Sequence, residues 1–126
     1  MDPNRKENLS YLQKRRRAFR CAGNGCWRLV RQEAHARIHL IAAVAVIVVG
    51  AIVGLSATEW CLVALCIGMV FMAEAFNTAI EKLADRVSKD YDPLIGAAKD
   101  VAAGAVLFIS LAAAAVGLII FIPKIF

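Results

Sequence analysis

The run WCLVALCIGMVFMAEAFNTAIEKLAD, Trp60 to Asp85, decides the fold. As far as Ile80 it carries a single charge, Glu74, and it is long enough to cross the ~30 Å hydrocarbon layer of a bilayer as one α-helix. The remainder holds Glu81, Lys82 and Asp85 but no helix breaker, so the same helix is expected to run past the membrane face. At 3.6 residues per turn, Glu74, Asn77, Glu81 and Asp85 stand at i, i+3, i+7 and i+11 and project from one side. An ionisable group near the centre of a membrane helix costs about 2.5–3.5 kcal/mol on insertion scales. Glu74 is therefore a functional candidate by default.

Two further apolar runs, His39 to Leu55 and Val101 to Phe121, are also near spanning length. With 60% hydrophobic residues and a mean hydropathy of +0.64 in 126 residues, the chain is too apolar for a soluble domain of this size. It reads as an all-α integral membrane protein with three spans. The first apolar run starts about forty residues in and lacks an A-x-A-like cleavage site, so the N-terminal region is expected to stay attached. Residues 1–38 are expected to form a cytoplasmic basic tail and interfacial amphipathic helix, and residues 39–126 a three-span transmembrane unit.

Arg5, Lys6, Lys14, Arg15, Arg16, Arg17, Arg20, Arg28, Arg31 and Arg37 all precede the first span, which predicts a cytoplasmic N-terminus. Three spans then put Ser56 to Glu59 outside, Lys82 to Lys99 inside and Pro123 to Phe126 outside, with Lys124 a weak counterexample. The net charge of +5 is thus a topology signal, with attraction to anionic membrane lipids as a second effect. The KRRR run at 14–17 has no accompanying nucleic-acid recognition motif, and no nucleic-acid partner is expected.

Between Asn8 and Ile38, basic residues alternate with Leu9, Leu12, Phe19, Trp27, Leu29 and Val30, as in a helix lying at the cytoplasmic interface. Gly23-Asn24-Gly25 is expected to interrupt it, at a bend or a close backbone approach, since each helical glycine costs about 1 kcal/mol relative to alanine. Cys21 and Cys26, like Cys61 and Cys66, are five residues apart, match no C-x2-C metal pattern and read as structural. Trp60 fits an outer aromatic belt. His39 reads as an interfacial histidine, in contact with headgroups or hydrogen-bonded. Asp92-Pro93 stops the long helix and starts the next, which turns Lys99 and Asp100 back towards Glu81 and Asp85. Small residues around them, Ala97, Ala98, Ala102, Ala103, Gly104 and Ala105, allow close helix approach in lipid. Three spans enclose little, so a homo-oligomer is the economical way to shield a polar site.

Carboxylates near a membrane face with a lysine and a basic N-terminal region fit phosphoryl transfer to a lipid hydroxyl. Glu81, joined by Glu33 from the interfacial helix, could bind a divalent metal that bridges phosphate oxygens. Lys99 could neutralise phosphate charge, and the deeper Glu74 could accept a proton from an alcohol. There is no Walker-type glycine loop. Spacing alone leaves open a small proton or ion pathway and a purely structural role for the same residues.

The runs EAFNTAIEKLAD, DPLIGAAKDVAAGAV and GLIIFIPK, with Phe19, Ala22, Gly25, Glu33, Arg37, Ile38 and His39 upstream, resemble the prokaryotic diacylglycerol kinase family. Its undecaprenol kinase branch shares the E-x-x-N-T-A-I-E and A-A-K-D-x-A-A-G-A-V motifs. The resemblance runs from about Phe19 to the C-terminus. It implies a homotrimer in the bacterial cytoplasmic (inner) membrane, with an active site at the inner face fed by ATP and Mg2+. By motif position it implies Glu74 as catalytic base, Glu33 and Glu81 as metal ligands, and Asn77, Lys99 and Asp100 around the nucleotide phosphates. Asp90, Tyr91 and Asp92 fall in the loop associated with the nucleotide, and Ala103 joins Glu74 at the acceptor. Asn77-Thr78, Asp92-Pro93-Leu94, Ala102-Ala103-Gly104 and the terminal FIPK favour undecaprenol over diacylglycerol as acceptor. The chain departs from the family pattern at His35, at Ala36, where an aromatic is usual, and in its longer basic tail.

Overall fold

Ser10 opens the first helix, α1 (Tyr11–Gln32), with a reciprocal cap: its hydroxyl accepts the Gln13 N–H, and the Gln13 side chain accepts the Ser10 N–H. The computed structural model describes residues 9–126, so Arg5, Lys6 and Asn8 lie outside the described residues. α1 runs unbroken through Gly23-Asn24-Gly25, against the expected interruption. A β-carbon at either glycine would meet nothing within 4 Å, so neither serves a close approach. The continuous backbone ladder outweighs the propensity cost of about 1 kcal/mol per glycine.

The chain breaks instead at Glu33, whose φ of −106° and ψ of 118° end α1 and begin α2 (Ala34–Val53). Arg37 Nη1 donates to the Arg31 carbonyl at 2.7 Å, bridging the break and filling one acceptor that a helix C-terminus leaves open. Ala34 to Ile38 therefore belong to the same helix as the first span. The buried positions of α2 are Ala36, Ala43 and Gly50, spaced by seven and all small, which lets its backbone approach its neighbours closely.

Gly54, at φ +77°, closes α2 in a conformation that glycine alone adopts without strain. A second reciprocal cap, Ser56 with Glu59, then opens α3 (Ala57–Val87). The turn is pinned at Gly50: a β-carbon there would stand 2.9 Å from Leu55 Cδ1 and 3.0 Å from Trp60 Cη2. Trp60 thus packs on α2 as well as marking one end of the span. α3 is 31 residues long, about 46 Å at 1.5 Å per residue, and extends beyond the hydrocarbon as expected.

Ser88 ends α3, and its hydroxyl donates to the Asp90 carbonyl at 2.9 Å. Asp92 Oδ1 accepts the N–H groups of Leu94 and Ile95, and Pro93 occupies the first position of α4 (Pro93–Ile125). The segment Pro123 to Phe126 is not a loose tail, because α4 continues through Pro123 to Ile125. α3 and α4 pack along most of their length, α2 lies against both, and α1 touches α2 and α3.

Two ion pairs clamp the α3–α4 hairpin at its ends, Glu59–Lys124 at 3.1 Å and Asp85–Lys99 at 2.7 Å. Between them lie about 26 residues, some 39 Å of helix, which fits a hydrocarbon layer with a margin at each face. Most large apolar side chains between the clamps, such as Ile41, Leu65, Phe108 and Ile119, are exposed. In water that surface would drive aggregation; in a bilayer it is the lipid contact.

The Asp92 cap gives a direct test of how the hairpin turn is held. Asp92→Ala should lower stability by about 1 kcal/mol, and Asp92→Ser, which keeps a capping oxygen, should recover most of the loss. Detergent-induced unfolding followed by circular dichroism measures both.

Candidate functional site

Glu74 lies on the buried side of α3 with Val63, Val70 and Thr78, and its side chain is 6% exposed. Its carboxylate faces His39 in the first turns of α2, with Nε2 3.2 Å from Oε1. Among the described residues His39 is its one partner. A single chain therefore shields this acid without help from a neighbour. Because unpaired burial of a charge is costly, the imidazole is part of what makes the acid tolerable at this depth.

His39 also lines an apolar cavity of about 300 Å³ between α2, α3 and α4. Ala43, Val70, Phe71, Ala113 and Gly117 form much of its wall. Val70 and Phe71 are one turn from Glu74, so the cavity ends beside the carboxylate–imidazole pair. Ser110 Oγ on its α4 side is buried without a hydrogen-bond partner among the described residues. The cavity is thus a largely greasy compartment with one polar end.

Further along the same face the surroundings become wet. Asn77 is half-buried, and its Oδ1 has no hydrogen-bond partner among the described residues. Glu81 is half-buried, while the Asp85 side chain is 69% exposed and pairs with Lys99 of α4. Glu81 is near enough for its charge to act on the same ammonium. Lys82 Nζ donates to Gln32 Oε1 at 3.3 Å, tying the end of α1 to this part of α3. The expected return of Lys99 to the acidic face is borne out, with Asp85 rather than the adjacent Asp100 as its partner.

Glu33 occupies the α1–α2 junction and is half-buried, without a side-chain bond to the helix end that it caps. Asp100 and Ala103 are exposed on α4. In the hairpin turn Asp90 and Tyr91 are exposed, while one Asp92 oxygen is engaged by the α4 cap. Among the described residues no three His, Cys, Asp or Glu side chains converge as a metal cage. Cys21, Cys26, Cys61 and Cys66 are free thiols, the first three of them exposed.

The sequence reading missed the partnership of His39 with Glu74. It had both residues, one in the R-I-H motif and one in the acidic stripe, but a separation of 35 positions carries no distance information. The available signal was physical: a buried acid needs a partner, and His39 is a polar side chain on the same α2 face as Ala36 and Ala43.

An all-helical architecture with three helices long and apolar enough to span a bilayer, and an acid buried beside an apolar cavity, defines a membrane protein with a polar group enclosed among its spans. Comparison with known proteins gives the family. The prokaryotic diacylglycerol kinase profile matches residues 20–121, and the chain belongs to that family. It is 40% identical over 119 residues to the undecaprenol kinase of Bacillus subtilis, covering 94% of this chain and 97% of that protein. It is 36% identical over 107 residues to a diacylglycerol kinase of Synechocystis sp., covering 84% of this chain and 61% of that protein.

The unpartnered Asn77 oxygen yields a prediction about the ligand-free protein. A buried acceptor without a donor bears a desolvation cost of about 1–3 kcal/mol. Asn77→Leu should therefore leave the thermal midpoint in detergent unchanged or raise it. A fall in the midpoint would show that the amide has a partner within the fold.

Proposed function

We propose that the protein is an integral membrane lipid kinase that transfers the γ-phosphate of ATP to undecaprenol, giving undecaprenyl phosphate. The observation that carries this reading is Glu74, a buried carboxylate at the polar end of an apolar cavity. Such a site suits an amphiphilic alcohol that lays the head end of its chain in the greasy compartment, with the rest in lipid, while its hydroxyl reaches the acid. The likeness to the Bacillus subtilis undecaprenol kinase over nearly the whole of both chains favours the polyprenol. Diacylglycerol is the alternative acceptor, favoured by the name of the Synechocystis relative.

In this reading Glu74 accepts the hydroxyl proton as the alcohol oxygen bonds to the γ-phosphorus. The bond from that phosphorus to the bridging oxygen breaks, and ADP leaves with the electron pair. Positioning and charge stabilisation account for most of the acceleration in phosphoryl transfer. Lys99 supplies positive charge, and Asn77 and Asp100 lie around the phosphates. Asp90, Tyr91 and Asp92 border the nucleotide, and Ala103 leaves room for the acceptor.

Glu33 and Glu81 would hold Mg2+. Their hard oxygen donors fit that ion, and two carboxylates are enough because Mg2+ usually keeps several waters and phosphate oxygens as ligands. When bound, it neutralises phosphate charge. We place the N-terminus in the cytoplasm and the C-terminus outside, in the bacterial cytoplasmic (inner) membrane, on the strength of the basic residues before α2. α1, with the exposed Leu12, Phe19 and Trp27 beside Arg16 and Arg20, serves as the amphipathic interfacial helix. The three spans, with Glu33 at the head of α2, form the kinase unit. A homotrimer would cover the exposed small-residue face of α4.

Purified protein in mixed micelles should consume ATP only with Mg2+ and a lipid alcohol, faster with undecaprenol than with diacylglycerol. Glu74→Gln should lower turnover by about 10²–10⁴-fold with the assembly size unchanged. Full activity in that variant would exclude Glu74 as base, and lipid-independent ion flux in proteoliposomes without lipid phosphorylation would replace the kinase reading with an ion pathway.

A further inference from the structure

We infer that His39 is a positioning residue for Glu74: its imidazole holds carboxylate oxygen Oε1 and leaves Oε2 to take the hydroxyl proton of the acceptor. This rests on the lipid-kinase reading and adds to it a second side chain, from a different helix. Nε2 is 3.2 Å from Oε1, and the Glu74 carboxylate has no other partner among the described residues. In so dry a setting, one fixed partner is enough to select a rotamer of the acid.

The mounting of His39 is rigid in a way that an accidental contact would not need. Ala36, one turn earlier on the same face of α2, is fully buried, and Ala43, one turn later, is buried too. The Arg37-to-Arg31 bond fixes the start of the helix. The ring therefore has its backbone anchored on both sides while its own side chain stays 24% exposed and lines the cavity. It touches both the compartment for the acceptor chain and the acid that meets the acceptor hydroxyl.

Histidine suits this position chemically. An acid that gains and loses a proton in each turnover needs a partner that can stay beside it in both states. A permanently charged lysine or arginine would favour the ionised acid alone, whereas an imidazole can be neutral or charged and present N–H in either form. Among the described residues the cavity wall holds no carboxylate, lysine or arginine; beside His39 its one titratable side chain is Cys66 of α3, and α4 offers Ser110.

The test compares wild type, His39→Leu, His39→Asn, His39→Gln, Glu74→Gln and the His39→Leu/Glu74→Gln double variant in micelles containing undecaprenol, Mg2+ and ATP. Each is assayed on material eluting at the wild-type size. His39→Leu, and His39→Asn with an amide too short to reach Oε1, should each lose at least about tenfold in kcat while KM for ATP changes less than about twofold. His39→Gln, whose amide can present an N–H near the place of Nε2, should restore most of the loss. In the Glu74→Gln background His39→Leu should have no further effect, because a residue that acts through the acid has nothing left to act on. Wild-type kcat in both shortened variants, or an equal loss with and without Glu74, overturns the inference while the kinase reading stands. Absence of lipid-dependent turnover in the wild type overturns both.

Discussion

A carboxylate held inside a membrane is the constraint on which the rest of the structure depends. Counting along α3 from Trp60 at about 1.5 Å per residue, Glu74 lies some 21 Å in, Glu81 some 32 Å and Asp85 some 38 Å. Set against a ~30 Å hydrocarbon layer, the first is inside, the second at the boundary and the third beyond it. The surroundings follow the same gradient: buried and paired with an imidazole, half-buried, then mostly exposed and paired with a lysine. A single helical stripe thus samples three dielectric settings, with an imidazole beside the innermost acid and an ammonium beside the outermost.

That gradient requires the helices to keep their register. Exposed ion pairs add little to stability by themselves, being solvated and screened. Their value here lies in placement, because Glu59–Lys124 and Asp85–Lys99 fasten the same two helices at opposite ends. A slip of one residue would spoil both contacts together. Small residues do the complementary work in the lipid layer. Ala36, Ala43 and Gly50 bring the backbone of α2 close to its neighbours, and Gly50 leaves room for Leu55 and Trp60 to close the turn.

Hydropathy and punctuation made the three spans, the overrun of α3 and the Asp92-Pro93 start of α4 legible in the sequence, because each is a local signal. The break between α1 and α2 was not. Two glycines looked like the weak point, yet the helix tolerates them and bends at Glu33, where Arg37 reaches back across the junction. Propensity measures a cost of about 1 kcal/mol per glycine; it says nothing of a side-chain bond across six residues that stabilises another break. The acidic face and the return of Lys99 were readable from helical period and one tight turn. The His39–Glu74 contact was hidden for a different reason: it depends on how α2 is rotated against α3, which small buried residues at 36 and 43 decide and no local pattern reports.

On the proposed lipid-kinase reading, the two halves of the site ask opposite things of the protein, and the fold divides them along one helix. A polyphosphate and a divalent ion need water, cations and oxygen ligands, which the Asn77, Glu81 and Lys99 end can offer. The head end of a long apolar chain needs a dry compartment, and the cavity walled by Ala43, Phe71 and Gly117 is one. Transfer between them has to happen where the two environments meet, since neither reactant is stable far into the other's territory. Glu74 is at that meeting point, one turn from the half-buried amide of Asn77 on one side and one turn from Val70 and Phe71 on the other. Moved a turn outward, the acid would be solvated and remote from a membrane-bound hydroxyl. Moved a turn inward, it would lose its imidazole and face hydrocarbon alone.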